Sequence, residues 1–244
     1  MKFGDIEKIE HECVYEVEVE VAHLNEDNVM KPHSYQVLFA QMVERHLAEF
    51  EASMPYTMKY GLAWALISLS FEIINPIRGC TKLRGSTWYS RRRGPYFQRD
   101  FVFRNEEGET MFHGTSFSVL LQLENRNVFR KKLVPFHMDP PYEVHFMEAE
   151  PGFKGDYTFT DVEERTVYNS YIDCLGHVNN CRYGEFAYDA MTDEEKANLI
   201  NLSRMDVYFI SEMRNKDVFT MQRDRKSTRL NSSHLKLSRM PSSA

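Results

Sequence analysis

Asp173, His177, Asn179 and Asn180 fall in one short run, Tyr171-Ile172-Asp173-Cys174-Leu175-Gly176-His177-Val178-Asn179-Asn180-Cys181-Arg182-Tyr183. A carboxylate or an imidazole can take a proton from water, which is a poor nucleophile at neutral pH. Fixed N–H groups and side-chain amides can face an oxygen that becomes negative as a carbonyl is attacked. An alternating apolar–polar run precedes this stretch and a helical pattern follows it. A polar turn that feeds a helix N-terminus gathers backbone N–H donors at one spot. The plainer alternative is a capped turn, since Asn before an amphipathic run caps a helix by itself.

The elements around the run are legible from period. Residues 13–22, Cys-Val-Tyr-Glu-Val-Glu-Val-Glu-Val-Ala, alternate strictly and predict a half-buried strand. A polar loop spans residues 23–32. From His33 onward Tyr35, Leu38, Phe39, Met42, Val43, His46, Leu47 and Phe50 recur at three and four, which predicts an amphipathic helix of about 18 residues ending near Met54-Pro55. Strands are expected at 62–74, 81–91, 96–104 and 109–123, with the chain reversing at Asn105-Glu106-Glu107-Gly108 and Glu124-Asn125-Arg126-Asn127. Four prolines and two glycines mark residues 134–157 as a linker, extended rather than packed. The pattern then restarts. Val167-Tyr168 opens a strand, the run at 173–180 takes the place of the loop at 23–32, and helical pieces follow at 182–191 and 193–199. Strands resume at 205–210 and from Asp217. The two halves read as one repeat copied about 150 residues apart. The expected fold class is therefore α+β, with residues 1–133 as a first unit and residues 158–224 as a second, incomplete one.

Composition narrows the classes. The 244 residues are 42% apolar, enough for a sizeable core, and no run of 18 apolar residues suggests a membrane span. The start, Met1-Lys2-Phe3-Gly4-Asp5-Ile6-Glu7, has no apolar signal core. Cys13, Cys80, Cys174 and Cys181 form no CxxC pair, so neither a zinc site nor a disulfide framework is expected, and reduced thiols in the cytoplasm are the simplest reading. No metal and no cofactor is called for. The formal charge is −6, but residues 225–244 hold five cations and no acids, leaving −11 on residues 1–224. An acidic body argues against nucleic acid as a partner. Residues 225–244, rich in Ser, Arg, Lys and Asn, lack sheet periodicity and read as a disordered, non-native tail. Two basic runs stand out on the acidic body, Arg91-Arg92-Arg93 and Arg130-Lys131-Lys132.

Strand, polar turn, long helix, then a meander resembles the hotdog layout, in which a sheet wraps a helix. The Asp-x-x-Gly-His-Val-Asn-Asn-x-x-Tyr run at 173–183 resembles the turn and helix start of hotdog thioesterases. Two tandem hotdogs with the motif in the second copy resemble the acyl-acyl-carrier-protein thioesterases. Thr87-Trp88, Arg99-Asp100-Phe101, the stretch 116–126, and Tyr208 with Glu212 and Asp217 fit the same pattern in order. The resemblance implies a double hotdog with a truncated second sheet, and hydrolysis of a fatty acyl thioester held on an acyl carrier protein. It implies that Asp173, His177 and Glu212, the last from the next strand, carry the chemistry. Gly176, Asn179 and Asn180 would shape the turn and the oxyanion donors. Phe39, Met42 and Trp88 become candidates for acyl contact, and Arg91, Arg92 and Arg93 for docking an acidic carrier. Better-known plant members carry asparagine where this chain has Leu175, and cysteine where it has Met213. An acyl-coenzyme A thioesterase and a non-catalytic acyl- or carrier-binding module are the alternatives. A homodimer is compatible with either.

Overall fold

The computed structural model describes residues 13–224, and the backbone of residues 235–239. Strand β1 (Cys13–Val19) buries Tyr15, Val17 and Val19 and exposes Glu16 and Glu18, the two faces that its alternation dictates. Helix α1 (Pro32–Glu49) starts with proline at its first position, where a missing N–H costs nothing. Its buried stripe is Tyr35, Leu38, Phe39, Met42 and His46. The helix stops five residues short of Met54. Pro55 instead begins a separate short helix, α2 (Met54–Met58), for the same reason that Pro32 begins α1.

Strands β2 (Leu62–Ile73), β3 (Thr81–Arg93), β4 (Tyr96–Arg104) and β5 (Thr110–Gln122) follow. The antiparallel sheet that they form with β1 runs in the order β1-β3-β4-β5-β2. Its concave face wraps α1. There Phe39 packs on Phe101 with ring centroids 4.6 Å apart, and Gly85 lies so close to Met42 that a Cβ would stand 2.6 Å from the sulfur. Residues 134–157 pack against both faces: Phe136 and Asp139 lie on the helix side against Trp64 and His46, and residues 142–150 cover the opposite face. They contain no helix or strand, yet they are packed, against the expectation of an unpacked linker. Tyr142 N–H donates to the Tyr89 carbonyl at 2.9 Å and Trp88 Nε1 donates to the Val144 carbonyl at 3.1 Å. Beneath this strap the fully buried Asp100 carboxylate meets His145 Nδ1 at 2.9 Å and accepts the Ser90 hydroxyl. Buried polar groups need partners, and here the strap supplies one.

The second repeat opens with β6 (Phe159–Thr166), earlier than the expected start at Val167. Its charged sequence, exposed from Asp161 to Glu164 and half-buried at both ends, carries no alternation to read. Helices α3 (Asn180–Asp189) and α4 (Asp193–Ala197) come next, then β7 (Arg204–Tyr208) and β8 (Val218–Asp224). Strand β7 does not stay with its own repeat's sheet. It pairs antiparallel with β2, Ser68 opposite Tyr208 through Glu72 opposite Arg204, and makes a six-stranded sheet. The second sheet has the order β6-β8-β9, where β9 is Leu235–Arg239. That strand falls within the stretch expected to lack structure; Leu235 and Leu237 alternate with Lys236 and Ser238, a short period-2 signal. The rest of that expected tail, residues 225–234 and 240–244, lies outside the described residues, as do residues 1–12. Helices α1 and α3 pack on each other between the sheets, with Gly184 against Gln36 and His33. Two antiparallel sheets around central helices, the second smaller, make a tandem hotdog. No described helix is long and apolar enough to cross a membrane.

Candidate active site

The motif turn is a closed loop between Ile172 and Val178, which form an isolated antiparallel bridge. Asp173 N–H donates to the His177 carbonyl at 2.9 Å, and Gly176 N–H returns to the Asp173 carbonyl at 3.1 Å. Gly176 has φ +81°, a conformation that glycine adopts without a Cβ penalty. One oxygen of the Asp173 carboxylate accepts Leu175 N–H at 2.9 Å. Position 175 thus contributes its backbone to the turn, while the leucine side chain is 44% exposed. Val178 N–H donates to the Met213 carbonyl at 2.8 Å. Met213 is buried with Val178, Phe186 and Phe219, so the residue in the cysteine's place packs in the core. Asn179 is the N-cap of α3, its side chain accepting Cys181 N–H at 2.9 Å. Asn180 is the first residue of that helix and is exposed.

Glu212 does not come from a strand. It lies in the irregular stretch between β7 and β8, brought to the turn by the anchored carbonyl of Met213 beside it. Its Oε2 is 3.6 Å from His177 Nε2. Its Oε1 accepts from the Arg126 guanidinium, which reaches across from the first repeat. In the sequence Arg126 stands in a turn and at the end of the stretch 116–126, with nothing to mark its partner; a contact between residues 86 apart leaves no local periodicity to read. Tyr183 stands nearby, its hydroxyl donating to the Ser211 carbonyl at 3.4 Å. Burial first, then the Glu212 and Asp173 carboxylates, push the Tyr183 phenol up to about 12. Burial pushes the Cys181 thiol up to about 11, so at neutral pH it is a protonated thiol and not a nucleophile.

The remaining candidates divide between two faces. Phe39 and Met42 lie in the closed core on the helix side of the first sheet. Trp88 is on the other face, under the strap, edge-on to Tyr142 and Phe146. A cavity of about 430 Å³ opens at the end of the first sheet, bounded by Tyr60, Leu62, Gln122, Phe129, Lys131 and Leu133. These residues come from loops and strand ends, and nothing in their pattern marks them in advance. The two basic runs meet: Arg92 donates to the Lys132 carbonyl at 2.8 Å. Arg91 donates to Gln98 at 2.8 Å, and Arg93 pairs with Glu150 at 3.5 Å.

A family model for the acyl-ACP thioesterase N-terminal domain matches residues 10–132, just over half of the chain. The chain belongs to the acyl-ACP thioesterase family. An acyl-ACP thioesterase from Bacteroides thetaiotaomicron has a similar structure, with TM-score 0.77, 18% identity, and coverage of 93% of this chain and 92% of that one. The 12:0-ACP thioesterase from Umbellularia californica is also similar, with TM-score 0.65, 14% identity, and coverage of 93% and 98%. At these identities the likeness speaks for the fold. A search of curated proteins finds no match. Family and fold together support thioesterase-type hydrolysis of acyl thioesters.

Proposed function

We propose that this protein hydrolyses the thioester of fatty acyl chains carried by acyl carrier protein, in the cytoplasm, releasing the free fatty acid. The observation that carries the reading is His177 Nε2 facing Glu212 Oε2 at 3.6 Å beside the N-terminus of α3. A water between or beside these groups loses a proton to the pair as it attacks the thioester carbonyl. Asp173 orients the turn that presents His177, through the Leu175 N–H that it accepts. Gly176, Asn179 and Asn180 shape the loop and the start of α3, whose dipole favours the developing oxyanion. The acyl chain is assigned to the helix side of the first repeat, where Phe39 and Met42, packed in the core, would have to move aside to admit it. Trp88, behind the sheet, has no part in that role. The joined surface of Arg91, Arg92, Arg93 and Lys132 suits an acidic carrier.

Release of free carrier thiol is measured for acyl carrier protein loaded with chains of several lengths, and for coenzyme A carrying the same chains. Turnover is expected on the carrier-linked substrates, with a lower kcat/KM on coenzyme A. His177→Ala and Glu212→Ala are each expected to lower kcat by about 10²–10⁴-fold, the range for loss of a proton-transfer group. Absence of turnover at every chain length on both carriers overturns the reading. Faster turnover on coenzyme A overturns its carrier specificity.

A further inference from the structure

We propose that Arg126, supplied by the first repeat, is a positioning residue for Glu212, holding one carboxylate oxygen so that the other faces His177. This rests on the hydrolytic reading above and extends it across the repeat boundary. Glu212 sits on a stretch without secondary structure. Its neighbours are tied at Phe209, whose N–H donates to the Ile67 carbonyl at 2.9 Å, and at Met213. Those anchors hold backbone and leave the orientation of the glutamate side chain to whatever grips its carboxylate. The guanidinium does so at Oε1, while Oε2 is the oxygen nearest His177. Arginine is suited to this because its guanidinium stays charged and its N–H donors lie in one rigid plane.

The backbone at Arg126 supports the assignment independently. Its φ is +61°, the left-handed region that favours glycine. The turn that imposes this is closed by Arg126 N–H on the Gln122 carbonyl at 2.8 Å and by Gln122 N–H on the Asn127 carbonyl at 2.9 Å. Asn127 N–H is held in turn by the Asn125 side chain at 2.9 Å. Asn125 and Asn127 do the work of the turn, and the strained position between them is given to the residue that reaches the other repeat. Both partners are half-exposed, so charge alone adds little here, and the effect is one of orientation.

Arg126→Gln, Arg126→Lys, Glu212→Gln and the Arg126→Gln/Glu212→Gln double variant are compared with the wild type on its best acyl-carrier substrate. Arg126→Gln is expected to lower kcat about tenfold with KM within about twofold, as for an interaction realised mainly in the transition state. Arg126→Lys recovers part of the loss. In the Glu212→Gln background, Arg126→Gln costs nothing further, which a general loss of stability would not reproduce. The His177 imidazole resonances in NMR spectra, read without substrate, move in Arg126→Gln but not when the same change is made in Glu212→Gln. Unchanged kcat, a rise in KM alone, or an equal loss in the Glu212→Gln background overturns the proposal. Should the wild type turn over no substrate, the hydrolytic reading falls, and the NMR comparison still decides whether Arg126 acts on His177 through Glu212.

Discussion

His46 shows how much a single buried group can weigh. It lies in the helix-side core of the first repeat, 1% exposed, against Tyr15 and Phe50. Burial first and the Arg99 guanidinium second push it down to about 3 from an ordinary 6.5, although an Asp139 oxygen lies 3.4 Å from its Nε2. Between those values the unfolded chain binds a proton that the folded chain refuses. Stability is therefore fully present above about pH 6.5 and is lost as pH falls toward 3. Thermal unfolding followed from pH 7 to pH 4 should show a falling Tm, and His46→Gln should flatten that slope. An equally steep slope in the variant would exclude His46 as its source. At this scale the motif was legible because its residues are consecutive in the chain. Asp173 and Asn179 each act locally, on one turn and one helix start. Arg126 and the cavity residues were not, because their partners lie in distant segments.

At the scale of elements, the contact between α1 and α3 decides how the repeats meet. Gly184 permits it: a Cβ there would stand 1.9 Å from Gln36 Oε1 and 2.9 Å from His33 Cβ. Gln36 and His33 are side chains and give way only in part, since the first is buried and the second lies at the start of α1. Gly184→Ala should therefore lose about 1–3 kcal/mol through overpacking, despite alanine's better helix propensity. Urea midpoints read this directly, and a midpoint at or above that of the wild type would show that the helices slide apart at little cost. Most elements of the first repeat announced themselves by period, as α1 and β1 do. β6 did not, because its Asp161, Glu163 and Glu164 face solvent and leave only its ends to pack. The end of α1 was misjudged because proline was read as a stop when here it starts the next helix.

In the whole molecule, β7 crossing to β2 turns two repeats into one continuous structure. No local pattern could have revealed this, since the alternation of Arg204–Tyr208 is the same whichever strand it pairs with. Residues 1–133 expressed alone would leave the edge of β2 and the α3-facing side of α1 uncovered. Such a fragment should self-associate through that edge, seen as dimers or larger species in light scattering, and a stable monomer would contradict this. The two repeats also share a loop. In the first, Asn25 N–H donates to the Val29 carbonyl at 2.9 Å, Asn28 N–H to the Asn25 carbonyl at 3.0 Å, and Leu24 bridges Met30. The loop of Asp173 to His177 makes the same bonds in the same places. Where one copy has aspartate and histidine, the other has asparagine and valine. A duplicated unit of this kind keeps its architecture in both copies while its side chains diverge. The loops 24–30 and 172–178 differ at all seven positions, so what the repeats share here is a backbone and not a sequence.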